Sequence, residues 1–156
     1  MPTPLQFASY VFFCQQAALG VFHEYSDYIR FIERTHEYKQ IPSPIVPGLK
    51  WLGKGLLCLA IFTVMGSIMS VETCFTKEFA EYSFAYRVFF YYVAMSLRRC
   101  FYYTPFCMTT GALISCGLGY NGVDKGVEKW DKIVGVYIWE VETSSSPIEM
   151  LRYWNH

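Results

Sequence analysis

Between Lys54 and Glu72 the chain runs for seventeen residues, GLLCLAIFTVMGSIMSV, without a charge. A helix of that length approaches the hydrocarbon thickness of a bilayer, and it satisfies its own backbone hydrogen bonds, as lipid requires. Lys54 can snorkel to the interface, and Trp51 suits the aromatic belt. The stretch therefore predicts a membrane span. Composition agrees, because 53% of the 156 residues are hydrophobic, 19% aromatic and only 17% charged, more apolar and less charged than an ordinary soluble domain.

Three membrane segments are expected, at about 5–22, 52–71 and 88–120. Residues 1–22 carry no charge, and LQFASYVFFCQQAALGVF is long enough to span despite Gln15 and Gln16 at its middle. It lacks the basic start and the small-residue cleavage site of a signal peptide. The third segment is interrupted: VFFYYVAMSL gives ten residues before Arg98-Arg99, and Cys100 to Val123 gives twenty-four without charge. One arginine at the bilayer centre costs roughly 2.5–3.5 kcal/mol on insertion scales. The pair is therefore expected near an edge, as an anchor, or facing a polar interior, flanked by Tyr91-Tyr92 and Tyr102-Tyr103. Orientation stays open, since residues 24–54 carry five positive and four negative charges and residues 72–87 two and three.

The polar connection 23–50 repeats Tyr25, Tyr28, Ile29, Ile32 and His36 at helical spacing and stops at Pro42, Pro44 and Pro47, which predicts an interfacial or solvated helix followed by a turn. Beyond Val123 the chain is polar again. There Val127, Trp130, Val134, Tyr137, Ile138 and Val141 fall on one helical face, although Ile133 to Val141 is also rich enough in β-branched and aromatic residues for a short strand. Ser146-Pro147-Ile148-Glu149 reads as a capping box with proline at the first helical position, so a helix is expected from Pro147. Ile148, Leu151 and Asn155 then share an apolar stripe along it.

Several chemistries are excluded. Thirteen basic residues balance thirteen acidic ones, so no basic surplus argues for nucleic acid. The six cysteines, at 14, 58, 74, 100, 107 and 116, contain no Cys-x-x-Cys pair and read as reduced packing residues. His23, His36 and His156 are not at metal-ligand spacing, so neither a metal nor a resident cofactor is expected. No phosphate loop or nucleophile elbow is present. What stands out is a set of polar landmarks between apolar walls: GLGYNG at 117–122, KWDK at 129–132, and Glu142 twelve positions before Trp154-Asn155.

At these residues the sequence resembles the membrane-bound O-acyltransferase family, in its lysophospholipid acyltransferase branch. That branch shows a Tyr/Phe-Asn-Gly turn, then Trp-Asp, then a Glu separated by eleven residues from Trp-Asn; here the matches are Asn121-Gly122, Trp130-Asp131, and Glu142 with Trp154-Asn155. YVFFCQQAALGVFHEYSDYIRFIE is similar to the family segment where a spanning helix runs into an amphipathic stretch. The resemblance implies an all-α, multi-pass membrane protein of the endoplasmic reticulum, with 1–156 forming a single partial domain whose active-site-proximal part is 121–156. It implies transfer of a fatty acyl group from acyl-CoA, as co-substrate, to a lysophospholipid hydroxyl. Asn155 would be a catalytic-site residue, with Trp130, Asp131, Glu142, Trp154 and Asn121 as supporting motif residues. The family's catalytic histidine lies in a later Trp-His-Gly helix, so that role is not given to His156. The chain is accordingly expected to be a fragment or truncated product, inactive alone. A non-catalytic multi-pass protein, or an acyltransferase for a sterol, diacylglycerol or protein acceptor, stays open as an alternative.

Overall fold

A computed structural model describes residues 2–13, 21 and 23–154. In chain order it places α1 (Pro4–Val11), α2 (Tyr25–Ile32), a 3-10 turn (His36–Lys39), α3 (Ile45–Gly66) and a second 3-10 turn (Val71–Phe75). There follow α4 (Lys77–Glu81), α5 (Phe84–Ser115), the two-residue strands β1 (Val123–Asp124) and β2 (Val127–Glu128), α6 (Ile138–Thr143) and α7 (Pro147–Tyr153). The described chain is mostly helical, and its frame is the antiparallel pair α3 and α5. Of the first expected segment, α1 covers Pro4–Val11, capped by Thr3 and Gln6; Cys14 to Gly20 and Phe22 lie outside the described residues.

The second expected segment begins earlier than its hydropathy suggests, at Ile45 rather than near residue 52. Pro44 is the N-cap and Pro47 falls in the first turn, where backbone amides have no intrahelical acceptor and a missing N–H costs nothing. The proline cluster thus opens α3 instead of closing the connection. Its 22 residues reach about 33 Å, and the most apolar window within Ile45–Phe75 has a mean hydropathy of 1.8 with only 11% of it buried. Leu49, Leu56, Leu57 and Val64 are each more than half exposed. A soluble core helix would be covered on all sides; this one keeps an apolar face fit for lipid.

The third segment is one continuous helix of 32 residues that runs through Arg98, Arg99 and Pro105. It ends at Ser115, short of residue 120, because Gly117 adopts φ +95°. The Gly117 N–H donates to the Ile114 carbonyl at 2.8 Å and the Leu118 N–H to the Leu113 carbonyl at 3.1 Å, the paired bonds of a Schellman cap. Along the helix pair Gly48 faces Ser115, Gly55 faces Met108, and the Phe62 and Phe101 rings lie 5.1 Å apart. The approach is tight at Gly48, where a Cβ would run into Ser115 Oγ, and at Gly111, where it would stand 2.8 Å from Leu52 Cγ and 3.0 Å from the Leu52 backbone nitrogen. Small residues let helix backbones come this near.

The connection before α3 differs from the single helix its spacing predicts. Arg34 and His36 both have positive φ, so the chain turns after Ile32 and His36 starts a separate 3-10 turn. That bend carries Tyr38 inward. It is fully buried among Val21, Leu113, Leu118, Tyr120 and Ile133, and its hydroxyl donates to the Leu118 carbonyl at 2.8 Å.

The helical face expected over Val127 to Val141 is also corrected. Lys125 and Gly126 take φ +49° and +79°, a left-handed pair that closes a two-residue hairpin loop, with Val123 opposite Glu128 and Asp124 opposite Val127. Ile133 to Val136 then run buried and irregular, and α6 starts only at Ile138. Of the strand alternative, a bridge between Val136 and Trp154 is what forms.

Candidate functional site

Glu142, on α6, is gripped by α5. The Arg99 guanidinium donates to its carboxylate from Nε at 2.8 Å and from a terminal nitrogen at 2.7 Å, while the Tyr103 hydroxyl donates at 2.6 Å. Arg99 and Tyr103 are four residues apart and share a helix face. A planar fork on a carboxylate fixes direction as well as charge. The same guanidinium also donates to Ser96 at 2.9 Å. Burial alone would raise the carboxyl's pKa, but the bonds from Arg99 and Tyr103 outweigh it and hold Glu142 below the usual carboxylate range. A group so held stays ionised, with its acceptor sites filled. It suits a strut better than a proton acceptor.

Each charge of the arginine pair meets a carboxylate: Arg98 reaches Glu72, an exposed residue directly after the uncharged stretch, at 3.2 Å, and the half-buried Arg99 reaches Glu142.

Trp154 converges on the same turn of α5. Its ring centroid lies 5.6 Å from that of Tyr103 and 5.8 Å from that of Phe106, and the Tyr137 N–H donates to the Tyr153 carbonyl at 3.1 Å. Glu142 and Trp154, twelve positions apart, thus sit on one tyrosine. The helix that delivers Trp154 starts as its cap dictates: Ser146 accepts from the Glu149 N–H at 3.2 Å. Glu149 reaches back one residue further than a simple capping box, to the Ser145 N–H at 2.9 Å. The helix stops at Tyr153, and Trp154 is extended. Asn155 and His156 lie outside the described residues.

The other motif residues gather at the hairpin, apart from this pair. The Asn121 amide donates to Asp131 at 2.9 Å, closing the base of the loop beside the backbone bonds that link Asn121 and Gly122 to Lys129. The Trp130 ring lies 5.1 Å from Tyr120, and its indole N–H points to Glu128 at 3.4 Å. Next to them Lys132, the last residue of the KWDK landmark and given no role by the sequence, bridges Asp27 at 3.1 Å and Glu37 and lies 5.1 Å over the Tyr38 ring. It fastens the α2 region to the post-hairpin segment. Burial opposes the Glu37 charge, but the bond from Lys132 prevails and lowers its pKa.

Between α3 and α6 lies an open groove of about 600 Å³, walled by Trp51 and Lys54 on one side and Tyr137, Trp139, Glu140 and Glu142 on the other. The groove borders the fixed Glu142, which places aromatic, cationic and acidic groups beside the motif. Sequence reasoning places Trp51 and Lys54 at an interface but gives no sign that α6 returns to them. Among the described residues no group of three or more His, Cys, Asp or Glu side chains is placed to hold a metal.

The profile of the MBOAT, membrane-bound O-acyltransferase family matches residues 1–156. The chain is similar to the lysophospholipid acyltransferase of Saccharomyces cerevisiae, 29% identical over 99% of the chain and 28% of the relative. It is similar as well to membrane-bound glycerophospholipid O-acyltransferase 1 of Homo sapiens, 28% identical over 99% of the chain and 34% of the relative. Membrane-bound glycerophospholipid O-acyltransferase 2 of Gallus gallus is 31% identical, over 99% of the chain and 33% of the relative. The chain thus spans about a third of the length of the curated relatives it matches.

Proposed function

The chain belongs to the membrane-bound O-acyltransferase family, and from that premise we propose that it forms part of the acyl-transfer site of an enzyme that remodels phospholipids. A fatty acyl group passes from acyl-CoA to the free hydroxyl of a lysophospholipid. The hydroxyl oxygen bonds to the thioester carbonyl carbon, the carbon–sulfur bond breaks, and CoA leaves as the thiol carrying the proton. Such a reaction needs a base for the hydroxyl and donors for the charge that develops on the carbonyl oxygen.

The observation that supports this reading is the convergence of Glu142 and Trp154 on Tyr103, which gives the Glu-x11-Trp-Asn pattern a physical basis. Arg99 and Tyr103 fix the glutamate, the glutamate fixes α6, and the aromatic cluster on α5 fixes Trp154. Asn155 follows directly in sequence. Its neutral amide is the group assigned to orient a reactant or to stabilise developing charge, since an amide is held in a low-dielectric site more cheaply than an ion. Trp130, Asp131 and Asn121 brace the hairpin that leads into the site. The base, on the family pattern, is a histidine of a later helix. The proposed setting is the endoplasmic reticulum membrane, crossed by α3, α5 and the 5–22 segment.

The test is transfer of a labelled oleoyl group from its CoA thioester in membranes from cells expressing the gene that encodes this chain. The acceptors are a panel of lysophospholipids, a sterol, a diacylglycerol and an acceptor peptide. The proposal expects label in diacyl phospholipid. Label confined to sterol ester, triacylglycerol or peptide would refute it.

A further inference from the structure

Away from the Glu142 turn, α5 begins with a face that stays open. Phe84, Arg87, Val88 and Tyr91 fall at i, i+3, i+4 and i+7 from its first residue, so they share one side of the helix. With Phe75 from the second 3-10 turn and Phe79 from α4 they wall a groove of about 470 Å³. Phe79 is buried beneath it, whereas Phe75 is 83% and Phe84 76% exposed. Arg87 is the one charged residue of the lining. Its Nε is sealed from solvent without an acceptor, and its guanidinium makes no hydrogen bond or ion pair among the described residues. The terminal nitrogens are left as donors open to a ligand. Glu78 and Glu81, the carboxylates of α4, are exposed and line no part of the groove. A cation without a counter-ion among apolar walls is costly to hold, and an anion entering the groove would relieve that cost.

We infer that this groove binds an unesterified long-chain fatty acid, its carboxylate held by the Arg87 guanidinium and its chain laid along Phe75, Phe84 and Val88. The ligand class follows from complementarity. One cation with no acid beside it selects an anion over a zwitterion, and a planar fork of donors matches the two oxygens of a carboxylate. The apolar walls take a hydrocarbon chain. The space is that of a small ligand, which suits one chain rather than the two of a diacyl lipid. Twelve residues, about 18 Å along α5, separate Arg87 from Arg99. The groove is therefore apart from the Glu142–Trp154 turn, and the inference does not rest on the acyl-transfer reading.

The test is photolabelling, and it needs no turnover. Washed membranes from cells expressing the gene that encodes this chain are irradiated with a palmitic acid analogue that carries a diazirine in its chain and an alkyne for recovery. Mass spectrometry locates the labelled peptide. The expected label lies within residues 74–91, and palmitic acid displaces it at a concentration at least tenfold lower than methyl palmitate does, the worth of one charge-assisted contact. Palmitoyl-CoA and phosphatidylglycerol should displace it no better than the ester. Arg87→Met should make acid and ester equal competitors. Arg87→Glu should reject the acid and favour hexadecylammonium, a gain that misfolding cannot mimic. Label outside 74–91, equal competition by acid and ester in the unaltered protein, or a preference for the acid that survives Arg87→Met overturns the site. Displacement by palmitoyl-CoA as strong as by the acid would make the groove part of the donor's path, and displacement by phosphatidylglycerol as strong would make it a lipid-phosphate contact; either result overturns the fatty-acid site.

Discussion

Replacing Arg99 by methionine keeps the apolar stem on α5 and removes only the guanidinium that grips Glu142. The structure sets the size of the effect. Two short bonds, at 2.8 and 2.7 Å, disappear, leaving a carboxylate whose one remaining side-chain donor among the described residues is Tyr103. Stripping one partner from a fully buried ion pair costs about 3–5 kcal/mol. Both side chains are 29% exposed, so water recovers part of that loss and about 2 kcal/mol is expected. Glu142→Gln keeps the side-chain shape but discards the charge, and should cost about 1–2 kcal/mol. Because each variant destroys the same interaction, the double variant should cost less than the two singles together, with a coupling of about 1–2 kcal/mol. Denaturant unfolding of the detergent-solubilised chain, followed by tryptophan emission, measures all four corners of the cycle. Coupling below about 0.5 kcal/mol, the scatter of independent sites, would mean that α5 does not hold α6 through this pair.

Acid should release the same strut. Glu142 titrates below the usual carboxylate range, so its contribution is fully present above that range and is lost as pH falls through the depressed value; Glu142→Gln should remove this part of the acid dependence in pH-resolved unfolding curves. At the helix pair, Gly111→Ala should destabilise by about 1–3 kcal/mol, because its Cβ would meet Leu52 at 2.8 Å. Gly53→Ala, with nothing within 4 Å, should instead gain about 0.5–1 kcal/mol from helix propensity, and thermal melts distinguish the two signs. Lys132→Met leaves Asp27 and Glu37 without their shared cation and should raise proteolytic cleavage of the 33–44 connection, read by mass spectrometry, while the spectrum of the helix pair is unchanged.

What the sequence discloses here follows how local the cause is. The span at α3, the cap at Ser146 and the turn at GLGYNG depend on near neighbours, and all can be read from the chain. The start of α3 is hidden because prolines that look like a terminator happen to occupy a first turn. The helical spacing over Val127 to Val141 misleads for a related reason: Asp124-Lys125-Gly126 closes a hairpin first, and the later apolar residues are buried by tertiary contact without a regular element. The partner of Glu142 could not be found by pattern, since Arg99 lies 43 positions away and only the packing of α6 on α5 brings them together. Even so, Arg99 and Tyr103 at helical spacing mark one face of α5 as polar, a signal that a polar partner packs there. Trp154 and Glu142 are legible as a motif, but their common tyrosine is not.

On the proposed function, the turn of α5 carrying Arg99 and Tyr103 positions the Glu142–Trp154 segment so that Asn155 can serve acyl transfer. The most direct measurement of this is the rate of diacyl phospholipid formation in membranes containing the Asn155→Ala, Glu142→Gln and Trp130→Phe proteins at matched abundance. Asn155→Ala is expected to lose at least a hundredfold, the scale of removing one positioned donor. A smaller loss is expected for Glu142→Gln and little change for Trp130→Phe. Transfer that persists in Asn155→Ala at the rate of the unaltered protein would contradict the proposed role.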